Sequence, residues 1–166
     1  NKIDFSNTFK VSEVYFNNIT SSRKPQKGDV LYTVTGSFGI PVLIDFDRDF
    51  CFQRHIGLIR PKEELLSRFL YYWILSPHSF NQANAAATGT AQRTVSLKSL
   101  RSFIIPMAGI NEQLNIIQQL DTLSVETKKL EILYQQKLNS LEELKKSILQ
   151  KAFTGELTKT NELEYD

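Results

Sequence analysis

Residues 27–36, KGDVLYTVTG, run from a turn through Val, Leu, Tyr and Thr to a glycine, the pattern of a strand. GIPVLIDF (39–46) predicts a second strand, with Pro41 near its start, where a missing N–H is tolerated. FCFQRHIGLIRP (50–61) predicts a third, closed by Pro61. Thr35-Gly36-Ser37-Phe38-Gly39 links the first two, and its two glycines suit a tight connection. Residues 1–60 therefore read as β-rich. In KEELLSRFLYYWIL (62–75), Leu65, Leu66, Phe69, Leu70, Trp73 and Ile74 recur at three- and four-residue spacing, which predicts a helix with one broad apolar face. That spacing accounts for Tyr71, Tyr72 and Trp73 as packing residues rather than a base-stacking platform. Ser76-Pro77 breaks the helix, and proline in a first turn starts the next, PHSFNQANAAA.

A polar loop follows, then Ser96 as N-cap of a short helical turn through LKSL. RSFIIPMAG (101–109) predicts a strand ended by Pro106 and Gly109. From Asn111 to Phe153 the period changes. Ile116, Leu120, Leu123, Thr127, Leu130, Tyr134, Lys137, Leu141, Leu144 and Ile148 alternate four- and three-residue spacings without Pro or Gly. This is a heptad seam on a helix roughly 55–65 Å long at about 1.5 Å per residue. It is too long to be covered by the preceding domain, so Leu120, Leu123, Leu130, Tyr134, Leu141, Leu144 and Ile148 are candidate helix-pairing residues for another segment or chain. Thr127 and Lys137 are polar seam positions that either set register or merely interrupt it. Gly155 should stop the helix, leaving a polar, frayed tail. The organisation expected is α+β: a mixed domain over residues 1–109, a long helix over 110–154, and a tail over 155–166.

Composition narrows the chemistry. Cys51 is the single cysteine among 166 residues, so no intramolecular disulfide forms, and two histidines are too few for a histidine-rich metal cluster. No signal peptide pattern opens the chain, and no run approaches the roughly 18 apolar residues of a membrane span. A cytoplasmic chain with no membrane association is expected, and its polar start without Met reads as the middle of a longer polypeptide. Charge is uneven. Residues 1–107 carry 13 Lys/Arg against 8 Asp/Glu, and residues 108–166 carry 7 against 10. A basic first half suits either a polyanion partner or an ordinary charged surface.

Catalytic patterns are missing. There is no G-x-S-x-G elbow, and Thr35–Gly39 is too short for a phosphate-binding P-loop and lacks its lysine. Asp45, Asp47 and Asp49 would share one face of a strand and could hold Mg²⁺, but a solvated turn or edge strand explains them as well. No cofactor or metal is expected.

Three stretches together resemble one family. QKGDVLYTVTGSFGIPVLID is similar to its strand–loop–strand. RFLYYWILSPHSFNQANAAATGTAQRTVSLKSLRSFIIPMAGINEQLNIIQQLD is similar to its helix–polar loop–short helix–strand–EQ-x-x-I pattern. LEELKKSILQKAFTGELT is similar to the end of its long helix. The family is the specificity (S) subunit of type I restriction–modification enzymes. The resemblance implies a target-recognition domain and a conserved helix that pairs antiparallel as a coiled coil. It implies double-stranded DNA as ligand, and methyltransferase (M) and motor-nuclease (R) subunits as the catalytic partners of a subunit that catalyses nothing itself. Such subunits usually hold two recognition domains and two helices. This chain has one of each and lacks the Trp and Leu-Gly-Asp-like turn that open a recognition domain. A fragment is expected, or a half-subunit that pairs with a second specificity half or forms a homodimer through the helix.

The loop TGTAQRTV (88–95) then acquires a candidate role. Gln92 and Arg93, with Thr90, carry groups that bond base edges or phosphates, and Gly89 permits close backbone approach. A loop that only positions the next helix would use the same residues. Sequence choice is assigned to Ser22, Arg23 and Lys24 within SSRKPQ, to Ser37 and Phe38, and to Gln53 and Arg54 beside His55. Arg54 could instead pair with Asp45 or Asp47. The competing functions are a coiled-coil assembly protein whose head binds protein, and a metal nuclease built on the three aspartates.

Overall fold

The computed structural model describes residues 2–157. These divide after Leu120 into two compact units. In the first, β1 (Val30–Thr33) lies between β2 (Pro41–Leu43) and β3 (Ile56–Ile59), antiparallel to both. Helices α2 (Ser67–Ile74), α3 (Pro77–Ala86) and α4 (Leu97–Arg101) follow, and α5 (Ile110–Phe153) starts in this unit. Val30, Tyr32 and Val34 of the central strand region pack with Leu70, Trp73 and Ile74 of α2, and Leu43, Ile59, Leu100, Phe103 and Ile105 close around them. The apolar face expected for α2 is thus the core face, and Trp73 is a core residue.

Gly28 turns the chain at φ +93° just before β1. The buried Asp29 carboxylate then accepts from Gln26 N–H at 2.8 Å and pairs with Arg60 Nε at 2.8 Å and Nη2 at 2.7 Å. Those bonds join the entrance of β1 to the exit of β3, and they hold the Arg60 guanidinium above its usual pKa.

Four expectations differ from the structure. The first sixty residues also contain helix: α1 (Glu13–Asn18) forms where Ser12 accepts from Tyr15 N–H and Glu13 favours the first turn, and Ser21–Arg23 form a 3-10 turn. The helix expected from Lys62 begins only at Ser67, because the Gln113 side chain takes the backbone of Glu64 and Leu66. Residues 103–109, expected as part of a strand, belong to no strand. Ile104 gives its N–H to Gln82 Oε1 at 2.9 Å, and its carbonyl accepts from Gln82 Nε2 at 3.0 Å, so a side-chain amide replaces a neighbouring strand. Asp45, Asp47 and Asp49 follow the end of β2 rather than sharing a strand face. Asp47 lies 3.9 Å from Lys27, and the described residues contain no cluster of three or more metal-ligating side chains.

Gln113 is fully buried in the first turn of α5. Its Oε1 accepts from Leu66 N–H at 2.9 Å, and its Nε2 donates to Glu64 and Ala108 carbonyls at 2.8 Å each. One amide therefore satisfies three backbone groups at the junction of α2 and α5. Ile116, Ile117 and Leu120, further along the start of α5, are half-buried.

In the second unit, every residue from Thr122 to Thr154 is exposed, including the seam residues Leu123, Leu130, Tyr134, Leu141, Leu144 and Ile148. The helix ends in a Schellman motif: Gly155 at φ +76° donates to the Ala152 carbonyl, and Glu156 N–H reaches Lys151. Residues 158–166 of the expected tail lie outside the described residues. No described helix is long and apolar enough to cross a membrane.

Gln113→Leu would take away the side-chain partner of the Leu66 N–H and of two carbonyls in a part-buried junction. It is expected to destabilise the chain by about 1–3 kcal/mol, read by urea unfolding. A change below about 0.5 kcal/mol would show that the amide is dispensable.

Candidate nucleic-acid interface

The polar loop after α3 is a folded element. Thr88 and Thr94 exchange both backbone hydrogen bonds, at 3.0 and 2.8 Å. Gly36 N–H donates to the Arg93 carbonyl at 3.0 Å, and Val95 N–H to Val34 at 2.8 Å. The loop is thereby sewn to the β1–β2 connection, and Thr35 and Thr94 form a β-bridge. Gly89 makes the turn possible. Its φ is +102°, and a Cβ there would lie 2.6 Å from the Gln92 carbonyl oxygen. Gly36, at φ +71°, would place a Cβ 3.7 Å from Gln92 Nε2, so its bare backbone lies close to that amide.

Arg93 is exposed but not loose. Its Nη1 donates to Asn84 Oδ1 at 2.6 Å, and its Nη2 to the Asn84 carbonyl at 2.7 Å. The guanidinium also stands 5.5 Å from the centre of the Phe38 ring, which stacks on Phe80 at 6.1 Å and 15°. Gly39, at φ +94° in the left-handed region, turns the chain beside this stack.

The register of the sheet decides which candidates meet. Val34 N–H bonds the His55 carbonyl, and Thr33 pairs with Ile56. The Gln53–His55 turn therefore adjoins the end of β1 from which the Ser37–Phe38 connection leaves, and to which Thr90, Gln92 and Arg93 are sewn. Ser37, Phe38, Gln53, Arg54, Thr90, Gln92 and Arg93 form one loop cluster at that end. Of these, all but the half-buried Phe38 are exposed. Ser22, Arg23 and Lys24 lie at the opposite end of the strands, where Arg60 Nη2 reaches the Lys24 carbonyl at 3.5 Å. Lys24 is engaged internally, with Nζ on the Asn17 carbonyl at 3.1 Å and 4.9 Å from the Phe16 ring centre. Ser22 Oγ bonds Thr20 Oγ1 at 2.9 Å. The ion pair formed by Asp47 goes to Lys27, not to Arg54.

Sequence reading missed Phe80 and Asn84. They lie one turn apart on α3, and each holds one of the two neighbouring loops. The one signal was an asparagine inside a helix, where its side chain competes with the backbone.

A small antiparallel sheet carrying one gathered set of polar loops, followed by a helix of 44 residues, is an α+β arrangement suited to recognition. The chain belongs to the family of the type I restriction modification DNA specificity domain, which matches residues 1–149. It is similar to the type I restriction enzyme EcoBI specificity subunit of Escherichia coli, at 29% identity over 136 residues, covering 81% of this chain and 29% of that protein. A solved structure describing complex assembly and conformational transition of the type I R-M system shares the fold, with a TM-score of 0.67 at 24% identity. That match covers 79% of this chain and 32% of the other. The crystal structure of a type I restriction-modification system S subunit from M. genitalium matches at 28% identity with a TM-score of 0.48, covering 68% of this chain and 29% of that one. The chain spans about a third or less of the length of each of these relatives.

Gly89→Ala forces a side chain into both the left-handed region and the Gln92 carbonyl. It is expected to cost about 1–2 kcal/mol locally. Amide exchange at Thr88 and Thr94 should accelerate by about tenfold or more, in line with that loss. Unchanged exchange at both amides would contradict this account of the turn.

Proposed function

We propose that the chain is a DNA-specificity segment of a type I restriction–modification system, selecting the sequence on which partner subunits act. The observation that carries this reading is the gathering of Ser37, Phe38, Gln53, Arg54, Thr90, Gln92 and Arg93 at one end of the sheet. Family membership and the basic first half of the chain support it. Gln92, Gln53 and Ser37 offer neutral groups for base edges, and Arg54 and Arg93 offer guanidinium groups for a guanine edge or a phosphate. Thr90 adds a hydroxyl within the same loop. Ser22, Arg23 and Lys24, at the far end of the strands, are left with a flanking role. The segment itself is non-catalytic: methylation belongs to methyltransferase subunits and cleavage to motor-nuclease subunits joined through the complex.

The exposed stripe on α5 supports a second element of the proposal. Leu123, Leu130, Tyr134, Leu141, Leu144 and Ile148 would be buried by an antiparallel helix from a second specificity half or a second copy of this chain, with Leu120 at the start of the seam. Changing Leu141 and Leu144 to Asp is expected to abolish this association in sedimentation while leaving the thermal unfolding of the first unit unchanged. Undiminished association would remove the stripe from the interface.

DNA binding is tested with the chain assembled with its methyltransferase subunits. Affinity for duplex DNA should fall linearly with salt on logarithmic axes, with a slope near −0.9 per phosphate contacted. Arg54→Ala should weaken binding in that assembly. Affinity that ignores salt would contradict a phosphate-anchored interface and favour a protein-binding scaffold.

A further inference from the structure

We propose that Asn84 is a positioning residue for DNA recognition, acting through Arg93. The inference rests on the DNA-binding reading above and adds a residue that contacts no DNA.

Two of the guanidinium's N–H groups meet Asn84 along one edge, at 2.6 and 2.7 Å, one on the side-chain oxygen and one on the backbone carbonyl. A two-point attachment fixes the guanidinium plane, which a single bond would leave free to swing. The Phe38 ring packs against the same group, and its stack on Phe80 ties that ring to α3 as well. Phe80 and Asn84, four residues apart on the helix, therefore support both loops from one side.

The site on α3 favours a cation for a reason built into the helix. Asn84 lies in the last turn, where carbonyls lack intrahelical partners and the helix dipole is negative. The last turn of α3 carries no basic residue of its own. Arg93 supplies one from nine positions along the chain.

The clip is not needed to close the loop. The Thr88–Thr94 pair, Gly36 N–H on Arg93 and Val95 N–H on Val34 already fix its backbone. What Asn84 adds is the direction of a long, exposed, charged side chain. The guanidinium keeps further N–H donors beyond the two engaged by Asn84. A side chain ordered before binding loses less freedom on reaching a base or phosphate. Asn84 thus fixes where those remaining donors point.

The test uses the chain assembled with methyltransferase subunits and a duplex library of randomised sequence, with the bound fraction sequenced. The parent should enrich a defined motif. Asn84→Ala should reduce discrimination between that motif and unrelated duplex by about tenfold. Its binding of unrelated duplex at low salt should stay within about twofold, with its unfolding temperature unchanged. Arg93→Ala should lose the same discrimination, and the double variant no more than either single one. Asn84→Asp, which keeps an acceptor for Arg93, should retain the enriched motif. Discrimination intact in Asn84→Ala would overturn the proposal. So would additive losses in the double variant, or equal weakening on all duplexes together with a lowered unfolding temperature. Failure of the parent to enrich any motif would sink the DNA-binding reading itself, and is seen before any variant is made.

Discussion

The Gln113 amide is the interaction on which the first unit depends. An amide can serve as acceptor and double donor at once, and this one is fully buried with three backbone partners. It holds Leu66 extended at the entrance of α2 and ties the first turn of α5 to the same point. Removing it would leave three part-buried backbone groups without this partner, and that cost is what makes the junction specific. With the start of α2 fixed, Phe69, Leu70, Trp73 and Ile74 face the sheet, and α3 follows after the Ser76 cap. The interior is not fully satisfied elsewhere. The Tyr32 hydroxyl and Trp73 Nε1 are buried without a hydrogen-bond partner among the described residues, and burial pushes the Tyr32 hydroxyl up to about 12.

From that frame the loop cluster follows by backbone bonding. β1 is the shared neighbour of both other strands, so the loops at one of its ends are brought together. The Arg60–Asp29 pair closes the other end, where a guanidinium and a buried carboxylate serve the fold. The two ends of the sheet thus divide labour: one is locked by charge pairing, and the other presents side chains on loops, two of which are braced by α3. Support for loops from a rigid element is the general condition for precise recognition.

The strands were legible because Val30–Thr33 and Ile56–Ile59 combine β-prone residues with clear turn signals. The Ser96 cap and the Gly155 stop were legible because single residues carry those roles. The long helix was legible from its heptads. The role of Gln113 was not, although it is the glutamine of the EQ-x-x-I pattern, because its partners are backbone groups at Glu64, Leu66 and Ala108. The same holds for residues 103–109: their apolar run suggests a strand, and nothing local reveals that Gln82 meets Ile104 in place of one. The candidate site was partly legible. Gln92 and Arg93 stand out by residue type in a polar loop, but the separation of Ser22, Arg23 and Lys24 from the rest follows only from strand register.

The central claim is that one end of the sheet meets DNA. Amide hydrogen exchange of the chain, assembled with methyltransferase subunits and measured with and without its enriched duplex, tests it directly. The account predicts added protection at residues 35–39, 53–55 and 89–93, with residues 21–24 little changed. Protection at 21–24 with none at the loop cluster would contradict it.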